Sequence, residues 1–597
     1  MASHPASRML APTPTALGAK PRFRPRFWPV LSVAALLAAA SVVALVTLLR
    51  YVATASSYID NGDGYYLYAA HRLAQGAVLY RDVMGTQPPA VYLLGAAIFK
   101  LGGTVQTVRL AGGLMRLGAI ALVFLIGRRL FSSAPTAALA ALLYALLPIG
   151  LTWDRSFDVN PPLTLAALLA LWPFVYLTPR TAMLSGVLAA AALYTKNLYL
   201  PPLLATLCYL ALQRRALLRP YLLGLCGAGA IAALLLLSWS PVALRDAFLG
   251  QQSSPLNLDW FVAALAYVAA SDGGLLVVAV AGAVLCLRHG RSHDAPAALS
   301  YAPWLLLGSV GVLVATVKEG TAGPVFQFAE PAVALLAAYA AGWALQNRLL
   351  RRAPANLDYS WTSDRAGGPC LAAACGPTPP ASLPAPVAGR DAGGPRNAAP
   401  PSSRILRATP VPASSRTPDT ASWERQGTHV RVPAHPRPPL VTRTRRWSYA
   451  VRSVAMLGIP VLAMLSVPSA LAADRAALNW TNAGEVWHVA ALVGAHAHPG
   501  NTILAPPYYA LLTGTRLPAD AADTYILAQR VARGDAWARR WLAGVVADLR
   551  TRHLPVVVTD LRLEQIAPLM AALRAHYHVL YSDTQPPAVH SQVWLPD

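Results

Sequence analysis

The stretch Tyr58-Ile59-Asp60-Asn61-Gly62-Asp63-Gly64-Tyr65-Tyr66-Leu67-Tyr68-Ala69-Ala70-His71-Arg72-Leu73-Ala74-Gln75-Gly76 decides how this chain is read. Two acids open a short, tyrosine-rich amphipathic helix, and Leu79-Tyr80-Arg81-Asp82 and Gln87-Pro88-Pro89-Ala90-Val91-Tyr92 follow it. A helix start favours a carboxylate, so Asp63 alone would serve as an N-terminal cap. Capping accounts for one acid. It leaves Asp60 and the Arg81-Asp82 pair without a reason. On the N-terminal side lies Trp28 to Leu49, 22 residues without a charge. As a helix that run is about 33 Å long, enough to cross a bilayer. On the other side a second apolar run begins near residue 106.

The whole chain agrees with this local picture. Of its 597 residues 55% are hydrophobic and only 13% charged, about half the share usual in soluble domains. Its mean hydropathy is +0.43. So few charges cannot cover a soluble surface of this size, which excludes a purely cytosolic enzyme. The balance of 49 Lys and Arg against 26 Asp and Glu gives a net charge of +23. In a membrane protein such a surplus reports topology, because cytoplasmic loops collect Lys and Arg. Five cysteines without metal-ligand spacing give neither a zinc site nor a disulfide framework. Cys208, Cys226 and Cys286 fall in apolar runs and read as small core residues.

Eleven spans are expected, at 28–49, 106–127, 134–152, 159–177, 181–195, 198–212, 219–238, 273–287, 299–317, 325–345 and 449–472. Ala53-Thr54-Ala55 resembles a cleavage site, but the first run exceeds the usual length of a signal-peptide core, so it reads as an uncleaved anchor. With the N-terminus in the cytoplasm, Arg128-Arg129, Arg180, Arg214-Arg215 and Arg288 all fall inside. Residues 50–105 then form the largest outer segment within the bundle, and everything after 473 is extracytoplasmic. Residues 1–27 are a basic cytoplasmic tail. The stretch 347–447 holds 17 of the 51 prolines and 15 Arg against five acids. It carries few large apolar side chains and reads as a disordered cytoplasmic linker, a polybasic tether beside anionic lipid. Almost no aromatics stand there for base stacking, which argues against nucleic acid as a partner. The fold class expected is therefore an all-α polytopic membrane bundle, 28–346, with the linker, a last span at 448–472 and a small α/β domain at 473–597. In that domain Thr502–Ala505, Val556–Thr559 and Tyr577–Tyr581 read as strands, and Arg530–Arg550 as one amphipathic helix.

The order Asp63-Gly64-Tyr65-Tyr66-Leu67-Tyr68-Ala69-Ala70, then Gly76, Tyr80-Arg81-Asp82 and Pro88-Pro89-Ala90-Val91-Tyr92, resembles the first extracytoplasmic loop of GT-C glycosyltransferases. It is similar to the bacterial branch related to protein O-mannosyltransferases and aminoarabinose transferases. The resemblance covers roughly 28–346 and is strongest at 58–92. It implies sugar transfer, with inversion, from a polyprenyl-phosphate donor to an extracytoplasmic hydroxyl on a lipid, glycan or protein. A first-loop acid acts as general base, and cations or a metal offset charge on the departing phosphate. The family usually shows Asp-Glu before the Gly-Tyr, where this chain has Gly62-Asp63. Asp63 matches the second acid of that pair, and Asp60, three residues earlier, is the alternative base.

Other candidates follow from position. Asp158 and Asp154 lie in the second outer loop, where similar proteins carry an acid; capping of the following helix by Asp158 is the plain alternative. The chain has only four lysines, and Lys100, Lys196 and Lys318 fall on the expected outer side, against the positive-inside trend. Lys196 matches a family lysine at a span end and is a candidate phosphate ligand, with snorkelling as the alternative. Lys318, Arg81, Asp82 and Tyr65 are further candidates for binding substrate. Glu330, beside an apolar run, should face a cavity and is a candidate contact for sugar or acceptor. No ligand set with metal spacing appears, so a divalent metal is left open. Two rival readings are a transporter or flippase of lipid-linked sugars and a catalytically inactive GT-C relative. The enzyme reading requires Asp63, Asp158 and Lys196 to converge within about 15 Å, because a working acid must approach its proton closely.

Overall fold

A computed structural model describes residues 61–147, 149–150, 157–250, 255–290, 292, 295–318, 323–352, 481–583 and 591–597, with a few helical positions between 41 and 52. One compact unit takes in residues 1–352 and 442–597, and a second takes in 353–441, which lies outside the described residues. The expected linker therefore falls almost wholly outside the described residues. At its N-terminal edge the last bundle helix, Glu330–Arg352, runs six residues further than the sequence suggested.

The bundle is helical throughout its described length, and local sequence sets its ends. Thr104 accepts from the Thr107 N–H and starts Val105–Phe131 with a capping box; the helix closes on Arg128 and Arg129, with Ser132 left-handed at φ 51°. Thr178 caps Pro179–Leu193 in the same way. Asn160–Phe174 begins with proline in its first turn. Asn257 accepts from the N–H groups of Asp259 and Trp260 and starts Leu258–His289. Leu200–Gln213 and Arg215–Trp239 lie between these.

Among the described residues, four helical segments are long and apolar enough to cross a membrane: Val105–Phe131, Arg215–Trp239, Leu258–His289 and Ala297–Val317. Nine of the eleven expected spans coincide with helices. Several of these helices, such as Ala134–Leu146, have 13 to 15 residues, or about 20–23 Å, less than the hydrocarbon thickness. The runs 28–49 and 449–472 lie largely outside the described residues. Of the three cysteines read as core, only Cys286 is buried; Cys208 and Cys226 are exposed on outward helix faces.

Helices in the bundle approach closely where glycine faces backbone. A Cβ on Gly186 would stand 2.1 Å from the Tyr221 carbonyl oxygen, and one on Gly224 would stand 2.1 Å from that of Met183. Pro179–Leu193 and Arg215–Trp239 therefore touch main chain to main chain, the small-residue packing that suits helices in lipid. Elsewhere on Arg215–Trp239, Leu223, Ile231, Leu234 and Leu235 are exposed.

The segment 481–597 is built of helices over a three-stranded antiparallel sheet of order β1-β3-β2, with β1 Val557–Thr559, β2 Tyr577–Asp583 and β3 Ser591–Pro596. The central strand, β3, is the one the sequence reading passed over. Thr502–Ala505 forms isolated bridges, Thr502 to Arg516 and Leu504 to Val557, instead of a full strand. The single helix expected at 530–550 is two, Thr524–Ala532 and Ala536–Arg550. Gly534 at φ +71° breaks the path, and Asp535 recaps it by accepting from Trp537 and Ala538.

Among the described residues, the segment 50–105 contains two helices, Asn61–Ala74 and Ala90–Lys100. The first was expected to be amphipathic, yet residues 63–70 are all buried. Its outer side is covered by the segment 481–597: Tyr65, Leu67 and Tyr68 share one core with Val486, Val489, Tyr508 and Tyr509. A Cβ on Gly64 would stand 2.7 Å from that of Tyr508, so glycine is what permits this approach.

Candidate active site

Asp63 lies in the first turn of Asn61–Ala74 and is 1% exposed. Its carboxylate reaches away from its own helix. Oδ1 accepts from the Phe157 N–H, and Oδ2 stands 3.3 Å from Nε of Arg109. Arg109 is itself buried near the N-terminal end of Val105–Phe131. A buried ion pair of this kind is costly to break, about 3–5 kcal/mol when one partner is removed. It fixes the position of the acid and ties three segments together at one point.

Next to Phe157 comes Asp158. Its carboxylate accepts from the Asn160 N–H at 2.7 Å and from Asn160 Nδ2 at 2.9 Å, which organises the start of Asn160–Phe174. The helix has Val159 at its N-cap position and no side-chain cap, so Asp158 shapes the turn before the helix and does not cap it. The same acid also bears on Lys196. Lys196 is buried in the short connection between Pro179–Leu193 and Leu200–Gln213, just ahead of the turn Asn197–Tyr199. Burial brings its ammonium down from 10.5 to about 8, and the charge of Asp158 opposes that fall. Asp63, Asp158 and Lys196 are thus gathered around the Phe157-Asp158 link.

A tyrosine cluster walls this place. The Tyr65 hydroxyl accepts from the Thr86 N–H at 3.0 Å and contacts Thr86 Oγ1 at 3.0 Å and the Tyr92 hydroxyl. The Tyr65 and Tyr66 rings meet at a tilt of 53°, 4.8 Å between centroids, and the Tyr66 ring lies 5.4 Å from that of Tyr92. Burial raises the pKa of both Tyr65 and Tyr66 and keeps the phenols neutral. Thr86 Oγ1 donates in turn to Asp523 of the C-terminal segment at 2.8 Å.

The other sequence candidates lie elsewhere. Asp60 and Asp154 fall outside the described residues. Arg81 and Asp82 pair with each other at 2.8 Å on an exposed turn. Lys318 is half-buried at the end of the 3-10 stretch Gly311–Val317, bridged to Leu256. Glu330 is completely buried, accepts from the Gly150 N–H at 2.8 Å and pairs with Arg116 at 3.2 Å. Arg116 lies over the Tyr144 ring, 3.7 Å from its centroid. Arg109 and Arg116 are seven residues apart and so share one face of their helix, about 10 Å apart along it. The sequence reading singled out neither. The signal was present, since a cation inside an apolar span needs an internal partner. Among the described residues no group of three His, Cys, Asp or Glu is placed to hold a metal ion.

Comparisons bear on the whole chain. Residues 86–239 match the family described as dolichyl-phosphate-mannose-protein mannosyltransferase. That match begins after Asp63 and takes in Arg109, Asp158 and Lys196. Among solved structures, ArnT from Cupriavidus metallidurans bound to undecaprenyl phosphate aligns with a TM-score of 0.52 at 12% identity, over 94% of this chain and 97% of that one. The apo state of the same enzyme gives 0.51 and 14% over the same shares. The apo oligosaccharyltransferase of Archaeoglobus fulgidus aligns at 0.45 and 12%, over 94% of this chain and 74% of that one. No curated protein matches. Over residues 86–239 the chain is therefore similar to that mannosyltransferase family, and over most of its length it shares the fold of the ArnT structures.

Proposed function

We propose that the protein transfers a sugar from a polyprenyl-phosphate donor to a hydroxyl of an extracytoplasmic acceptor, with inversion at the anomeric carbon, and that Asp63 is the general base. The observation that carries this is the gathering of Asp63, Asp158 and Lys196, three residues picked from distant points in the sequence, around Phe157. The ArnT relative holds a polyprenyl phosphate, which supports the donor class. In the step, the acceptor oxygen forms a bond to the anomeric carbon as the bond from that carbon to the phosphate oxygen breaks. The hydroxyl proton passes to the Asp63 carboxylate, and the phosphate leaves with the bonding electrons. Lys196, kept largely protonated at neutral pH, offsets the charge gathering on that phosphate. Arg109 holds the base in place. Asp63 is buried, so substrate entry must part the groups that cover it, and the closed site then excludes water.

The proposed arrangement is a multi-pass protein of the cell membrane, with its N-terminus and the 347–447 linker cytoplasmic, eleven spans, and the first loop and the 473–597 α/β domain outside. Mass spectrometry of cell-envelope glycans and lipids, with and without the protein, tests the function. The account expects one sugar modification to disappear with the gene and to return with the wild-type gene but not with Asp63→Asn. An unchanged envelope would count against it.

A further inference from the structure

A cleft of about 530 Å³ opens where the far end of Asn61–Ala74 meets the C-terminal segment. Its lining is polar, and its most unusual element is glycine. Gly76, Gly500 and Gly514 all line it, with φ of +98°, +89° and +68°. Only glycine adopts such angles without steric cost. A Cβ on Gly76 or Gly500 would meet nothing within 4 Å. The walls are therefore bare main chain facing open space, which lets a ligand approach the backbone closely.

The charges around the cleft are unevenly satisfied. Arg72 is held by Asp520 at 3.0 Å and by Gln75, and Asp82 is held by Arg81. Arg516 lines the same cleft, is exposed, and has no ion-pair partner among the described residues. His71 adds a donor and acceptor beside it, its basicity lowered by burial and by Arg72. The cleft thus presents one guanidinium without an ion-pair partner among the described residues, a close-approach backbone, and amide and imidazole groups. That set recognises a polyhydroxylated ligand bearing an anionic group. The position matters as well. Arg72 is nine residues along the helix from Asp63, about 14 Å.

We propose that this cleft is a distal acceptor subsite that holds an acidic saccharide a few residues from the hydroxyl being glycosylated. The inference rests on the glycosyltransferase reading, in which Asp63 marks the reacting end, and it adds that the acceptor is an extended, negatively charged glycan.

The test is direct binding to the full-length protein in lipid nanodiscs, read by saturation-transfer NMR and calorimetry. The probes are a galacturonic acid trisaccharide and, as the neutral control, maltotriose. The expected result is that the acidic trisaccharide binds and maltotriose binds at least about tenfold more weakly, the size of one charge-assisted hydrogen bond. Arg516→Ala should weaken the acidic probe about tenfold, and Gln75→Trp, which fills the cleft, should abolish its binding. Both variants alter exposed positions, and unchanged thermal unfolding shows that they fold. Equal binding of both probes, no binding of either, or binding indifferent to both substitutions would overturn the proposal. Because no transfer is measured, the result stands apart from any failure of Asp63 as the base.

Discussion

Lys196 is where burial and an anionic neighbour pull in opposite directions, and the balance has two consequences of opposite sign. Its pKa is about 8 in the fold against 10.5 unperturbed. Between those values the unfolded chain binds more protons, so this group's contribution to stability rises with pH across the window. Its burial cost is fully present below about 8 and gone above 10.5. Phosphate binding runs the other way, because the anion needs the ammonium. Affinity for a polyprenyl phosphate should hold steady below neutrality and fall as pH passes about 8, by at most about tenfold per pH unit for one proton. Lys196→Arg should remove that alkaline limb, and Lys196→Gln should bind weakly at every pH. Tryptophan fluorescence titration from pH 6 to 10 reads this, and an identical limb in Lys196→Arg would refute the assignment. Lys196 and Asp63 were legible in the sequence because their residue types stand out against an apolar background. Arg109 was not, because its meaning depends on a partner 46 positions away. Glu330 was noticed for the right reason, a carboxylate that must face inward, but its neighbours are Arg116 and Gly150.

Helices in this protein owe their positions to a few contacts where nothing larger than hydrogen fits. Gly150 is one: an added Cβ would stand 2.5 Å from both Arg116 Nη1 and Glu330 Oε2. Gly150→Ala should therefore spread the buried pair and destabilise the bundle by about 1–3 kcal/mol, the usual cost of overpacking. Gly186→Leu should do at least as much by forcing Pro179–Leu193 away from Arg215–Trp239. Thermal unfolding in detergent checks both; variants as stable as the parent would show that these helices do not pack as described. Apolar runs and caps located nine helices of the bundle, since hydrophobicity is a local property. Strand β3 escaped because Ser591–Pro596 is short and reads as a tail, and becomes a strand only between β1 and β2.

The molecule as a whole closes its first loop under its C-terminal segment. Asp520 receives the Tyr68 hydroxyl and the Arg72 guanidinium together, and Arg530 meets Asp246 at 3.5 Å. Both sites of interest, the buried acid and the glycine-walled cleft, lie along the one helix so covered. Asp520→Ala should loosen this closure by about 1–3 kcal/mol, leaving the Tyr68 hydroxyl and Arg72 without their carboxylate. Limited proteolysis should then cut 481–597 faster than in the parent protein; equal rates would mean that the clamp is not what holds it. None of this docking could be read from sequence, because Asp520 and Tyr68 are 452 positions apart. It explains why residues 63–70 of a helix patterned as amphipathic are buried all round. The central claim is sugar transfer with Asp63 as base. Its most direct test is a transfer assay with purified protein in nanodiscs, a radiolabelled polyprenyl-phosphate sugar and an envelope extract as acceptor. The account predicts label in the acceptor for the parent and a loss of about 10²–10⁴-fold for Asp63→Asn, with donor binding retained and the fold checked by thermal unfolding. Full transfer by a folded Asp63→Asn variant would contradict it.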